Sequence, residues 1–192
     1  MTFHTETAWQ LTGTEPGPEL ILFHTRYDRW RNPRNGKTIK AVVLESRDWV
    51  NVVALTPEQK LVVVSQLRFG TGQLSVEMPA GLIEPDEQPL QAAMRELQEE
   101  TGYVSEDWHY LGQVQANPAF LTNVCHLWLA RDVVQTHALH LDDSEEIAVA
   151  ELTWDEVRGQ IAQGHMRNAM SLLALARVFD LRHQTVSLKP AL

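Results

Sequence analysis

Residues 81–103 read GLIEPDEQPLQAAMRELQEETGY, and this stretch decides how the rest of the chain is read. Pro89 suits a first helical turn, where its missing N–H costs no hydrogen bond. Leu90, Ala93, Met94 and Leu97 follow at helical spacing, and Gly102 stands where a helix would end. The pattern predicts a helix over about 89–101. At ~100° per residue the four apolar side chains form one stripe. Glu96, Glu99 and Glu100 share one flank, with Glu100 against the edge of the stripe. Arg95, four residues before Glu99, can pair with it and orient one carboxylate.

Crowding like charges in this way costs an isolated helix about 0.2–0.5 kcal/mol per pair. A divalent cation reverses the sign. Hard cations such as Mg²⁺ take carboxylate and carbonyl oxygens, and one held by Glu96, Glu99 and Glu100 would polarise a phosphate and activate a water. Taken alone, the spacing also reads as a solvated acidic face.

Taken whole, the stretch resembles the Nudix box, G-x5-E-x7-R-E-U-x-E-E-x-G-U with U a bulky aliphatic residue. Gly81, Glu87, Arg95, Glu96, Leu97, Glu99, Glu100 and Gly102 fill its positions. Tyr103 departs from it, replacing the last aliphatic residue. The resemblance implies an α/β/α sandwich with a mixed sheet, and a loop–helix–loop that binds Mg²⁺, with Mn²⁺ as a substitute. It also implies hydrolysis of a nucleoside diphosphate linked to another moiety.

Beyond the box, Gln66–Gly70, Glu77–Glu84, Asn117–Phe120 and Asp143–Ile147 resemble the ADP-ribose and nucleoside diphosphate sugar pyrophosphatases. The similarity covers about residues 38 to 180. It implies that the backbone carbonyl of Ala80 joins Glu96, Glu99 and Glu100 as a metal ligand. Arg68 would contact the diphosphate or phosphosugar, and Glu77 would hold the polar end of the substrate. Pro118 is the substrate-site proline typical of the group. Glu145 or Glu146 would position or deprotonate the attacking water, completing a catalytic set with Glu99 and Glu100. A homodimer, with N-terminal strands of one subunit walling the site of the other, is also implied.

The length of 192 residues is that of one domain, or of one domain with a small appendage. Strand-like runs lie at 19–25, 38–44, 49–55 and 61–67, then at 108–114, 123–130 and 147–152, with a two-residue hairpin signal at Asn35-Gly36. Thr153 and Glu156 form a capping box that opens a helix to about Gln163, and a last helix is expected from Asn168 to Leu181. This order favours a mixed α/β sandwich over a doubly wound parallel sheet. Residues 1–45 are expected as N-terminal strands with a part in dimerisation, and 46–192 as the hydrolase domain. Trp49 and Trp30 can each stack on a base or fill the core. His126 and the buried-looking Cys125 read as structural.

With 25 acidic against 16 basic residues the formal charge is −9, a balance that argues against the basic face that nucleic-acid binding needs. A polyphosphate ligand would need a cation between itself and such a protein. No apolar run approaches a membrane span. The opening MTFHTETAWQ has no basic start and no apolar stretch, so a secretory signal is not expected there, and the lone cysteine suits a reducing, cytoplasmic setting. The expected activity is Mg²⁺-dependent hydrolysis of ADP-ribose or a related nucleoside diphosphate sugar. Alternatives are another nucleoside diphosphate derivative (GDP-mannose or a dinucleotide) and a non-catalytic sensor of nucleotide sugars.

Overall fold

The structure, a computed structural model, describes residues 8–141 and 146–181. It divides into two units. The first comprises residues 8–48 and 115–124. Strands β1 (Gln10–Pro16), β2 (His24–Arg31) and β3 (Thr38–Glu45) form an antiparallel sheet in that order. Segment 117–122 lies beside β3: the Leu44 N–H donates to Phe120 O at 2.8 Å, and the Thr122 N–H to Leu44 O at 3.2 Å. Two expectations are corrected here. The run Leu20-Ile21-Leu22 is apolar but exposed, and β2 begins only at His24. The turn after β2 is longer than two residues. Asn32 N–H bonds Lys37 O at 2.8 Å, so residues 33–36 form the loop, and Gly36 takes its positive φ of 70°. Pro33 and Arg34 lengthen the turn, with Asn32 Oδ1 accepting from Arg34 N–H at 2.8 Å.

The second unit, residues 49–114 and 125–181, is built on a seven-stranded mixed sheet. Its central order is β12 (Ile147–Leu152), β5 (Leu61–Arg68), β4 (Trp49–Leu55), β10 (Cys125–Arg131) and β9 (Asp107–Val114). Only β4 and β10 run parallel among these pairs. β4 and β5 pair only at Ala54–Leu55 with Leu61–Val62 and part beyond that point. Two short strands fill the opening. β6 (Gln73–Glu77) pairs with β5, and β7 (Ala80–Leu82) pairs with β4. A separate two-stranded ladder joins β8 (Tyr103–Val104) and β11 (Val134–Gln135).

Strand alternation sorts the side chains onto two faces. Val50, Val52, Ala54 and Val62 pack beneath Ala92, Ala93 and Leu97 of helix α1 (Pro89–Thr101). Val53, Leu55, Leu61 and Val63 face the other way. They meet Val157 of α2 (Trp154–Ala162) and Met170, Ala174 and Leu175 of α3 (Ala169–Val178). The result is the expected α/β/α sandwich. The capping box of α2 forms: Thr153 N–H reaches Glu156 Oε2 at 2.8 Å. α3 stops at Val178 rather than Leu181, because Phe179 turns extended and stacks on Trp154 at 4.3 Å. No helix among the described residues is long and apolar enough to cross a membrane.

Gly102 ends α1 with φ 74°, its N–H bonded to Gln98 O at 2.8 Å. A Cβ there would lie 2.2 Å from the backbone oxygen of His137, so two constraints act on one residue. Gly102→Ala is expected to cost at least about 2 kcal/mol. A thermal midpoint equal to that of the wild type would contradict this.

Candidate active site

The acidic flank of α1 lies over β7. A Cβ at Gly81 would sit 2.0 Å from the carboxyl carbon of Glu96, so the bare glycine is what lets that carboxylate lie on the strand. Glu100 is 2% exposed, and its Oε2 accepts the Ala80 N–H at 3.0 Å. That bond joins the last turn of α1 to β7 and places the Ala80 peptide against the flank. The Ala80 backbone, Glu96, Glu99 and Glu100 therefore share one region of the main unit.

Arg95 organises the carboxylates. Its Nε and Nη2 grip Glu87 at 2.9 Å each. Nη1 donates to Glu96 Oε1 at 2.8 Å and to Glu99 Oε2 at 3.0 Å, and Nη2 also reaches Leu82 O at 2.9 Å. These bonds raise the Arg95 pKa, with Glu87 the largest contributor. In return, the hydrogen bonds from Arg95 hold the Glu87 carboxyl below its ordinary value.

At the other end of the opening between β4 and β5, Glu77 is 1% exposed. Its two oxygens accept from Arg68 Nε at 3.0 Å and Nη2 at 2.8 Å, in a two-pronged pair. Asn168 Nδ2 adds a third bond at 2.7 Å. The same Asn168 caps α3, its Oδ1 accepting from Met170 N–H at 2.9 Å and Ser171 N–H at 3.2 Å. Ser171 Oγ in turn accepts the Met78 N–H at 3.0 Å. Glu77 thus holds Arg68 and presents little of itself to solvent. By register Glu77 and Arg68 stand on the face that carries α1.

The other candidates are dispersed. Of the two readings for Trp49, the structure has its ring partly buried against the core on the α3 face. Pro118 belongs to the N-terminal unit, in the turn that follows Asn117. Glu146 is exposed just before β12, and Glu145 lies outside the described residues. Cys125 is buried, and burial pushes its thiol up to about 12. Tyr103 keeps its ring buried where the box has an aliphatic side chain, and its hydroxyl donates to Glu151 at 2.7 Å. Asn168 escaped the sequence reading as a site residue. Its signal there was only that of a helix cap, and its bond to Glu77 spans 91 positions.

The NUDIX domain family model matches residues 45–173. The chain belongs to the Nudix family. Among curated relatives it is 34% identical over 142 residues to the methanol dehydrogenase activator of Bacillus methanolicus, covering 73% of this chain and 77% of that protein. It is 31% identical over 142 residues, with the same coverage, to the ADP-ribose pyrophosphatase of Bacillus subtilis (strain 168). The crystal structure of an ADP compounds hydrolase shares the fold, with a TM-score of 0.80 at 20% identity, over 92% of this chain and 95% of that one. The protein is a Nudix hydrolase of the ADP-ribose and nucleoside diphosphate sugar pyrophosphatase group.

Nudix hydrolases generally use divalent metals, and the residues here fit such an ion in their chemistry. The donors are all oxygens, as hard cations require, and the glycine beneath Glu96 leaves room for the carboxylate. Among the described residues no group of three or more His, Cys, Asp or Glu is already gathered as a metal centre. Instead Arg95 supplies the positive charge around which Glu87, Glu96 and Glu99 assemble.

A depressed carboxyl pKa contributes stability above the ordinary value, and the contribution is lost as pH falls through the folded value. Glu87→Gln is therefore expected to cost about 1–2 kcal/mol at neutral pH, with the gap closing below the ordinary carboxylate range. Denaturant unfolding of both proteins across that range tests it. A gap independent of pH would contradict the pairing of Glu87 with Arg95.

Proposed function

We propose that this protein hydrolyses the diphosphate of ADP-ribose, or of a closely related nucleoside diphosphate sugar, to a nucleoside monophosphate and a sugar phosphate. Family membership and the curated relatives support the coarser activity, hydrolysis of nucleoside diphosphate derivatives. The observation that carries the finer reading is the pairing of two opposite features on one sheet face. One is the oxygen-rich flank of α1 over Gly81. The other is the Arg68 guanidinium clamped by Glu77.

Glu96, Glu99 and Glu100, with the Ala80 carbonyl, would hold Mg²⁺, for which Mn²⁺ is the expected substitute. When bound, such an ion neutralises the diphosphate and polarises a phosphoryl oxygen. The chain supplies the rest. Arg95 holds Glu96 and Glu99 side by side, and Glu100 fixes β7 against α1. Glu77 and Asn168 orient Arg68, whose planar fork suits phosphate oxygens. A glutamate of the 145–146 pair takes the proton of the attacking water. The water oxygen bonds to phosphorus as the anhydride oxygen leaves with the other phosphate.

Assembly as a homodimer and a cytoplasmic setting belong to the same proposal. Leu11 and Ile39 flank Trp30 in one row of the N-terminal sheet and are 52% and 49% exposed, an apolar surface suited to a second copy. The lone buried thiol suits a reducing compartment. The acidic balance argues against nucleic-acid partners.

With ADP-ribose and Mg²⁺, Glu99→Gln is expected to lower turnover at least about a hundredfold, and excess chelator to abolish it. In ¹⁸O-labelled water the label should enter AMP or ribose 5-phosphate. Release of inorganic phosphate, or full activity in chelator, would overturn the reaction class. A preference for GDP-mannose or a dinucleotide would overturn only the substrate. Light scattering is expected to give a dimer, and a species of 21.8 kDa at micromolar concentration would contradict the assembly.

A further inference from the structure

Arg167 stands in the connection between α2 and α3, and its Nη2 donates to Gln73 Oε1. Gln73 is the cross-strand partner of Arg68 in the β5–β6 ladder. Such partners have Cβ atoms about 5 Å apart on one face. That face carries α1: Val62 lies in the core beneath the helix, and Val64, Gln66 and Arg68 follow at alternate positions. Arg167 therefore bonds the glutamine that stands opposite Arg68 in the ladder, on the side of the sheet that bears the acidic flank.

The two cations are held differently. The charge of Arg68 is matched by Glu77 at 2.8 Å. Arg167 is exposed and has no carboxylate partner among the described residues. Its backbone is nevertheless pinned on both sides. His165 O accepts the Val76 N–H at 3.0 Å, and Met166 is 1% exposed in the core. Asn168 caps α3 and bonds Glu77. These bonds fix the segment that carries Arg167 next to β6, the strand whose Gln73 stands opposite Arg68. Two guanidinium groups on neighbouring parts of one ladder can both donate to a single phosphate, and such an anion would be favoured between them as a cation is among the carboxylates of α1.

We propose that Arg167 is a second substrate-binding cation, which with Arg68 clamps the phosphate of the diphosphate lying farther from the α1 carboxylates. This rests on the diphosphate reading above and adds to it a residue from the α2–α3 connection. The clamp recognises a phosphate by charge and fork geometry and is indifferent to the base.

The test is calorimetric titration of the intact protein with inorganic pyrophosphate in Mg²⁺, which contains neither base nor sugar. Arg167→Gln keeps a donor for Gln73 and loses the charge. It is expected to weaken binding at least about tenfold and to reduce its salt dependence, while Arg167→Lys falls between the two. With the preferred nucleotide substrate, Arg167→Gln should raise KM and leave kcat within about twofold, as loss of uniform binding does. Its thermal midpoint should match that of the wild type. Wild-type pyrophosphate affinity in Arg167→Gln would overturn the clamp, as would a fall in kcat at unchanged KM. A substrate panel that rejects ADP-ribose while the pyrophosphate result holds would overturn the substrate and leave the clamp standing.

Discussion

One guanidinium against three carboxylates is the contact on which the site depends. Glu96 and Glu99 point the same way from α1 and would repel each other at this distance. Arg95 lies between them and is itself anchored by both oxygens of Glu87 and by the Leu82 carbonyl. Exposed ion pairs contribute little, but Glu87 and Glu96 are 14% and 12% exposed in their side chains, so this network is shielded from much of the solvent. It fixes the loop before α1 to the helix and sets the direction of the carboxylates before any ligand arrives. Preorganisation of this kind lets fixed charges act without rearranging during a reaction.

The sheet supplies the place for this network. β4 and β5 part beyond Ala54 and Val62, and the short strands β6 and β7 occupy the gap. The link from Glu77 to Ala80 crosses it through Met78 and Pro79, so one turn of chain separates the clamp on Arg68 from the peptide bonded by Glu100. The Val52 N–H secures that crossing on Pro79 O at 2.9 Å. A deep core on each sheet face keeps the two ends in register. The polar contacts beneath α3, from Ser171 to Met78 and from Asn168 to Glu77, tie the second helical layer to the same turn.

The helices and the long buried strands were legible because apolar periodicity and caps are local signals. α1 begins at Pro89 and ends before Gly102, and α2 begins after Thr153, each as its cap residues require. β1, β6 and β7 were not legible. The run Gln10–Pro16 is polar, and β7 has three residues, so backbone pairing with a neighbour makes these strands, with little help from apolar side chains. The Leu20–Leu22 run misled for the opposite reason: it is apolar without being buried. In the site, the carboxylate flank followed from spacing on one helix. The bonds of Asn168 to Glu77 and of Arg167 to Gln73 did not, since they bridge 91 and 94 positions and exist only once α3 has docked.

We propose that the Arg95-ordered flank over Gly81 is a cation site. Mn²⁺ binding followed by electron paramagnetic resonance, on the wild type, Glu96→Gln and Gly81→Ala, addresses it without reference to substrate. The last variant matters because a methyl group there would displace the Glu96 carboxylate while removing no charge. The wild type should hold Mn²⁺, and both variants should weaken it at least about tenfold with their folds intact. Equal Mn²⁺ binding by all three proteins would rule out a cation site on this flank.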